Sequence, residues 1–165
     1  MELDAFNRLD AEAARAVVRP CVDLDRWVDA VVEARPYATT AELLAAARTS
    51  APRWTPAEID GALAHHPRIG ERASGGGPEA SLSRSEQAGI GEPTADVAAA
   101  LAAGNRAYEE KFSRVFLIRA AGRSADEILA ALSERLAHTE EEEIPVVAEQ
   151  LRQIAVLRLE GIIGS

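Results

Sequence analysis

The chain has 165 residues, of which 47% are hydrophobic, 27% charged and 4% aromatic, a composition typical of globular rather than disordered proteins. Its length predicts a single domain, residues 1–165, with a buried core. The formal net charge of −9 argues against a nucleic-acid partner, because binding to phosphate backbones requires a clustered basic surface. An anionic small molecule is not excluded, since one buried arginine creates a local positive site.

The cysteine content and the absence of long apolar segments indicate the cellular compartment. Cys21 is the single cysteine, so no intramolecular disulfide can form and a reducing compartment is favoured. The first residues lack the pattern of a signal peptide, and no apolar run approaches the ~20 residues of a membrane span. We therefore expect a cytoplasmic protein that does not insert into membranes.

Segments with helical periodicity cover most of the chain. The first two are predicted over residues 9–18 and 24–34, and Thr40 is suited to cap a third. The sequence Thr55-Pro56-Ala57-Glu58 is a strong start signal, because it combines a capping threonine, a proline in the first turn and a glutamate three residues on. The helix that it opens is expected to run to His65.

The second half of the chain begins with a predicted loop over residues 73–82, which are rich in glycine and serine. Ser83-x-x-Glu86 then matches a second capping box, which predicts a short helix through Ile90. Thr94 opens a long helix whose apolar stripe is predicted to continue to Phe116, and two more helices are predicted over 124–137 and 140–163. Since no run alternates as a half-buried strand would, the fold class expected is all-α, as a compact helical bundle.

His66 is the first candidate for chemistry, because Pro67 pushes the residue before it out of helical geometry. The imidazole should therefore project beyond the end of the helix, whereas His65 continues the helix. Histidine also has an unperturbed pKa near neutrality, which suits proton transfer. A histidine at a helix end is often a capping or surface residue, and the spacing leaves both interpretations open.

Two further groups of polar residues have alternative interpretations. Capping explains Ser83 and Glu86, but a helix N-terminus with Glu86 and Gln87 would also hold a planar, urea-like ligand. Arg158 lies on an apolar stripe of the last helix, where a buried charge needs a partner. That partner is either a protein carboxylate such as Glu86 or the carboxylate of a substrate.

No recognised metal-binding, phosphate-binding or dinucleotide-binding motif occurs in the sequence. The acidic run Glu140–Glu143 is interpreted as favouring the N-terminus of the last helix through the helix dipole, with Thr139 as the cap. We therefore expect neither a metal nor an organic cofactor.

Five motifs occur in a fixed order along the chain. They are Arg35-Pro36-Tyr37, His66-Pro67-Arg68-Ile69-Gly70-Glu71, Ser83-x-x-Glu86-Gln87-x-Gly89, Asn105-x-x-Tyr108-x-x-Lys111-Phe112 and Leu157-Arg158-Leu159. Together they resemble the OHCU decarboxylases, carboxy-lyases that act on 2-oxo-4-hydroxy-4-carboxy-5-ureidoimidazoline (OHCU) in urate breakdown. The resemblance covers residues 3–163, and its specificity comes from the order of the motifs rather than from any one of them.

The resemblance implies an all-α homodimer that converts OHCU, a small-molecule substrate, to (S)-allantoin and carbon dioxide without a cofactor. It implies that His66 is the catalytic histidine and Glu86 its partner acid. Substrate contacts are implied for Pro67, Ser83, Arg84, Ser85, Glu86, Gln87, Phe116, Leu117, Ile118, Arg119, Ala120 and Arg158. One departure is Ser113, where many members of the family have glycine.

An alternative function belongs to a different class. The chain would then be a non-catalytic helical interaction domain, in which the capping boxes and the buried arginine are purely structural. This alternative predicts no cleft in which His66, Glu86 and Arg158 converge.

Overall fold

The computed structural model describes residues 1–50, 53–71 and 76–164, and every regular element within them is a helix. The prediction of an all-α fold is therefore confirmed. None of the helices in this part of the chain is long and apolar enough to cross a bilayer. The chain divides into two compact units, Met1–Ala62 with Leu151–Ser165 and Leu63–Gln150.

The first unit contains the helices of the N-terminal third. They are α1 (Leu3–Arg8), α2 (Ala11–Val18), α3 (Asp25–Glu33), α4 (Thr40–Thr49) and most of α5 (Pro56–Leu63), with a short 3-10 helix at Arg19–Cys21. The helices predicted over 9–18 and 24–34 are confirmed as α2 and α3. The cap of α4 is Thr39 rather than Thr40, because the Thr39 hydroxyl accepts from the Glu42 N–H at 3.1 Å.

The start of α5 is the predicted capping box. Glu58 accepts from the Thr55 N–H at 2.7 Å and the Thr55 hydroxyl accepts from the Glu58 N–H at 3.2 Å. Hydrogen bonds from the Arg26 guanidinium and the Thr55 N–H lower the pKa of Glu58 to about 2. The helix ends at Leu63, two residues earlier than predicted, because Pro67 forces His66 out of helical geometry and the last turn tightens. The His66 N–H accordingly donates to the Leu63 carbonyl at 3.0 Å.

The Arg35-Pro36-Tyr37 motif has a structural role in the first unit. Arg35 Nη1 donates to the carbonyls of Phe6 and Leu9, at 2.8 and 2.9 Å, and so satisfies groups at the C-terminal end of α1. The Tyr37 hydroxyl donates to the Val31 carbonyl at 2.7 Å. The Arg35–Pro36 peptide bond is cis.

The second unit contains α6 (Pro78–Ala88), α7 (Ala95–Phe112), α8 (Ala125–Arg135) and the first part of α9 (Glu140–Ile163). The last three match the predicted helices. Their caps are Thr94, Ser124 and Thr139, whose hydroxyls each accept the N–H of the third residue that follows. The carboxylates of Glu127 and Glu142 in turn accept from the backbone N–H groups of Ser124 and Thr139, which completes two capping boxes.

The predicted start of α6 is wrong. Residues 73–75 of the predicted loop lie outside the described residues, but the helix begins at Pro78, five residues before Ser83. Gly77 is the N-cap and Pro78 takes the first turn, where its missing N–H costs nothing. Ser83 and Glu86 are therefore inside the helix, and the Ser-x-x-Glu spacing is not a cap.

The face of α7 that carries Leu101, Tyr108 and Phe112 forms the core of the second unit together with α8. The Tyr108 ring lies 4.6 Å from Phe112 and 5.2 Å from Phe116, measured between ring centroids. Phe116 was predicted to extend this helix, but α7 ends at Phe112 because Ser113 adopts the left-handed conformation, with φ of 55°.

Replacing Ser113 with glycine is expected to raise the free energy of unfolding by about 0.5–1 kcal/mol. A residue with a Cβ is strained in the left-handed region, whereas glycine is not. Urea titration of the Ser113→Gly variant measures the change, and Ser113→Ala at the same position is the control. A Gly variant no more stable than the Ala variant would contradict the explanation.

Replacing Gly104 with alanine is expected to destabilise the protein by about 1 kcal/mol. The new Cβ would lie 2.4 Å from Leu132 Cδ2, and Leu132 is fully buried, so overpacking outweighs the gain in helix propensity. Gly61→Ala in α5 is the matched control, because nothing lies within 4 Å of its Cβ and propensity alone predicts stabilisation. Thermal denaturation of both variants should therefore shift in opposite directions.

Candidate functional site

His66 lies just after the end of α5, in the segment that leads to Glu71. His66 and Pro67 are half-buried, Ile69 is buried, and Arg68 and Gly70 are exposed. Because the segment belongs to no helix, its backbone groups need partners other than a helical ladder. The predicted position of His66 beyond the last helical turn is confirmed, whereas the prediction that His65 continues the helix is wrong, because α5 ends at Leu63.

Side chains from α6 and α7 supply these partners. Gln87 accepts from the Gly70 N–H at 3.1 Å, and its amide NH₂ faces the Arg68 carbonyl at 3.4 Å. Asn105 Nδ2 donates to the Ile69 carbonyl at 3.1 Å. The segment that follows His66 is thus attached to two helices.

A bidentate ion pair adds a third attachment. Arg68 Nε and Nη2 donate to the two carboxylate oxygens of Glu109, and the Nη2–Oε2 distance is 3.0 Å. The pair raises the pKa of Arg68 and lowers the pKa of Glu109. Both groups therefore remain charged across the range in which proteins are usually assayed.

A cavity of about 900 Å³ lies next to this segment, within the second unit. Arg68, Ile69, Gly70 and Glu71 form part of its wall, opposite residues of α6, α7 and the connection between them. The lining is mixed, with the apolar side chains of Ile90 and Leu101 beside charged groups such as Arg106. Its volume falls within the range of small-molecule sites.

The cavity brings together part of the predicted site. Ser83, Arg84 and Gln87 line it, whereas His66, Pro67, Ser85 and Glu86 are not among its lining residues. Ser83 is buried, Arg84 and Ser85 are exposed, and Glu86 is half-buried on α6. Because α6 begins at Pro78, the predicted clamp by a helix N-terminus at Ser83 is wrong, since N–H groups there lie within the helix.

The predicted substrate strip, residues 116–120, connects α7 to α8 without helical structure. Phe116, Leu117, Ile118 and Ala120 are buried, and Arg119 is half-buried. The Arg119 N–H donates to Gln150 Oε1 at 2.9 Å. Since most of these side chains belong to the core, the backbone is the part of the strip suited to contact a ligand.

A buried ionic cluster supports this strip, and the sequence analysis did not identify it. Arg135 Nη1 donates to the Leu117 carbonyl at 2.6 Å and Arg135 Nε donates to Glu143 at 2.6 Å. Glu143, fully buried, also accepts from the Tyr108 hydroxyl at 2.6 Å and lies 2.8 Å from His138 Nδ1. Burial, and then the hydrogen bond to Glu143, raise the pKa of Tyr108.

Arg135 could have been identified in the same way as Arg158, as a charged residue on the apolar face of a helix. Arg135 follows Ile128 and Leu132 at spacings of 4 and 3 residues, which places it on the buried face of α8. Glu143 was interpreted as part of an acidic run that favours the helix dipole, and it does lie in the first turn of α9. The structure adds that its side chain is fully buried and paired with Arg135.

Arg158 lies in the first unit and is buried. Val147, Leu151 and Ile154 of the predicted stripe are buried as well, so the apolar face of α9 is confirmed. Arg158 Nη1 donates to the Pro20 carbonyl at 3.2 Å. A backbone oxygen therefore accepts from one of the five N–H groups of Arg158, whereas the partner predicted for this arginine was a carboxylate.

Histidine, cysteine and acidic side chains are the usual protein ligands of metal ions. Across residues 1–50, 53–71 and 76–164, no group of three or more such side chains is arranged to hold a metal ion.

Comparison with known proteins agrees with the motif order. A family model for OHCU decarboxylase matches residues 7–160. A relative from Amia calva, 2-oxo-4-hydroxy-4-carboxy-5-ureidoimidazoline decarboxylase, is 32% identical over 136 residues, which cover 81% of this chain and 78% of that protein.

Two solved structures share the fold. A crystal structure of OHCU decarboxylase in the presence of (S)-allantoin superposes with a TM-score of 0.68 at 24% identity, covering 88% of this chain and 95% of that one. A crystal structure of (S)-allantoin synthase superposes with a TM-score of 0.72 at 18% identity, covering 99% of this chain and 54% of that one. At these identities the two structures establish similarity of fold.

Proposed function

Because the chain belongs to the OHCU decarboxylase family, we propose that it converts OHCU to (S)-allantoin and carbon dioxide. The observation that carries the proposal is the placement of the His66–Glu71 motif. Residues 68–71 form the wall of a cavity that Ser83, Arg84 and Gln87 also line. These residues come from two separate motifs of the family pattern.

The substrate supplies its own electron sink. The carbon that carries the carboxylate and the hydroxyl is adjacent to a ring C=N. When the bond to the carboxylate breaks, its electron pair forms a carbon–carbon double bond and the C=N pair moves to the ring nitrogen, which takes a proton. The hydroxyl then loses its proton as the ring carbon bearing the ureido group gains one, so one proton replaces carbon dioxide overall.

We assign the proton transfers to His66. The imidazole accepts the proton of the substrate hydroxyl and returns a proton to the neighbouring carbon on one face, which sets the configuration of the product. A positioned general acid–base contributes about 10²–10⁴-fold to the rate. Glu86, half-buried on α6, orients the imidazole or accepts the N–H groups of the ureido substituent.

Gln87 has a different role from the one the resemblance implies. Its amide oxygen is engaged by the Gly70 N–H and its NH₂ faces the Arg68 carbonyl. We therefore assign Gln87 chiefly to holding the His66 segment, with Ser83 and Arg84 as the cavity residues that contact substrate. Contacts from Pro67 and Ser85 remain predictions from the resemblance.

The substrate carboxylate should not be held tightly before it leaves. Only interactions that strengthen in the transition state accelerate the reaction, so a strong ion pair with the carboxylate would oppose it. We propose that the backbone of residues 116–120 contacts the ring or the ureido group, and that Arg158 contacts a substrate oxygen other than that carboxylate.

We also propose that the protein is a cytoplasmic homodimer, as the resemblance and the single, buried cysteine Cys21 favour. Analytical ultracentrifugation is the measurement, with a mass twice that of one chain as the expected result. A monomer at assay concentration would rule out the dimer without affecting the assignment of the reaction.

The purified protein should accelerate the decay of freshly generated OHCU, followed by circular dichroism. Protonation in bulk water occurs on both faces of the ring, so the uncatalysed product is racemic, whereas a positioned imidazole delivers the proton to one face. The expected result is therefore rapid formation of optically active (S)-allantoin. If the decay rate and the product's optical activity match those of a protein-free control, the proposed function is wrong and the interaction-domain alternative is favoured.

A further inference from the structure

Asn105 places an amide on the apolar face of α7. It lies between Leu101 and Tyr108 in the core and is 6% exposed. The atom that faces the Ile69 carbonyl must be Nδ2, because a carbonyl oxygen only accepts hydrogen bonds, and the distance is 3.1 Å. Asn105 Oδ1 is then buried, with no hydrogen-bond partner among the described residues.

An orphaned buried acceptor makes Asn105 a poor choice for stability. Such an atom loses its hydrogen bonds to water without replacement, and an apolar side chain of similar volume would avoid that loss. The amide also lines the cavity, and the hydrogen bond that it makes to the protein is the bond to Ile69.

That hydrogen bond fixes the segment that carries His66. Ile69 is three residues after His66, and Pro67, with its fixed φ, lies between them and limits how far the imidazole can move independently. The other two attachments, from Gln87 and Glu109, are made to the exposed residues Gly70 and Arg68. The Asn105 bond is buried, so water competes with it least.

We propose that Asn105 is a positioning residue for the decarboxylation, which holds the His66 imidazole in place through the Ile69 carbonyl. The inference rests on the proposed function, because it assumes that His66 transfers the protons. Asn105 is among the residues that line the cavity, but the role proposed for it acts through the Ile69 carbonyl rather than through the reacting atoms. Its loss should therefore lower the rate of the chemical step more than the affinity for substrate.

The test is the Asn105→Leu variant. We expect kcat to fall about 10–100-fold, because a shift of about 1 Å in a catalytic group costs up to 10²-fold, while KM stays within about threefold. Leucine removes the orphaned acceptor Asn105 Oδ1 but leaves the Ile69 carbonyl, which lies beside the cavity, without its donor. The two effects on stability oppose each other. The melting temperature should accordingly stay within about 4 °C of wild type.

Asn7→Leu is the matched control. Asn7 Nδ2 also donates to a backbone carbonyl, that of Tyr37 at 2.9 Å, but it belongs to the first unit, whereas the His66 segment belongs to the second. Its replacement should lower the melting temperature and leave kcat and KM unchanged. Asn105→Ser is the second Asn105 variant, because its hydroxyl is too short to reach the Ile69 carbonyl, and it decides the question if the leucine variant does not fold.

Each outcome has a definite meaning. A fall in kcat at nearly constant KM and melting temperature supports the inference. An unchanged kcat overturns it, and a rise in KM at constant kcat also overturns it, because Asn105 would then bind the substrate directly. An inactive wild-type protein refutes the proposed function and this inference together, whereas an active wild type with fully active Asn105 variants refutes the inference alone.

Discussion

The His66→Ala variant is expected to decarboxylate OHCU with a kcat about 10²–10⁴-fold below wild type, the usual contribution of a positioned general acid–base. The remaining activity should come from substrate binding and from the electron sink within the substrate. The allantoin that forms should also lose optical purity, because water then delivers the proton to either face of the ring. Circular dichroism reports both the rate and the optical activity.

His65→Ala is the matched control for this prediction. His65 is the adjacent imidazole, is exposed, and lies 3.8 Å from Glu79, so it differs from His66 in placement rather than in chemistry. It should retain wild-type kcat and KM. Equal activity of the two variants, or a His66→Ala protein that still forms pure (S)-allantoin at the wild-type rate, would remove His66 from the mechanism.

The Arg135→Met variant is expected to lose about 3–5 kcal/mol of unfolding free energy, the largest stability effect that we predict. The substitution leaves the Glu143 carboxylate fully buried without its arginine partner, with the Tyr108 hydroxyl and His138 Nδ1 still beside it, and removing one partner of a buried ion pair is very costly. It also removes the donor to the Leu117 carbonyl. Urea unfolding monitored by far-UV circular dichroism measures the loss.

Two further variants isolate the cause. Arg15→Met breaks an ion pair to Asp29 with the same 2.6 Å separation, but both side chains are more than a third exposed, so the loss should be at most about 1 kcal/mol. The double variant Arg135→Met with Glu143→Met removes both charges and should recover much of the stability. If Arg135→Met costs no more than Arg15→Met, burial is not the source of the effect.

The cluster around Glu143 and the attachments of the His66 segment share one feature. In both cases a connection without helical structure carries residues of the predicted site, and a buried side chain from a helix holds one of its carbonyls. Arg135 holds Leu117, and Asn105 holds Ile69. The helices of the second unit therefore position the backbone of the candidate site.

Helix boundaries were predictable where the signal is local. The capping boxes of α5 and α9 and the cap of α7 match the structure because each depends on residues within one helical turn. The start of α6 was not predictable in this way, because two start signals, Gly77-Pro78 and Ser83-x-x-Glu86, lie six residues apart. Local sequence ranks these two signals poorly, and in the structure the helix starts at the earlier one, with Ser83 buried inside the helix.

The sequence by itself determined the all-α class, the family and the placement of His66 beyond a helix end. These depend on periodicity, on motif order and on the steric effect of proline, all of which act over a few residues. Tertiary structure decided which polar groups meet. Asn105 bonds Ile69 across 36 residues of sequence, and Tyr108 bonds Glu143 across 35. Such pairs form because buried polar groups need partners, and which partner comes within reach depends on how the helices pack.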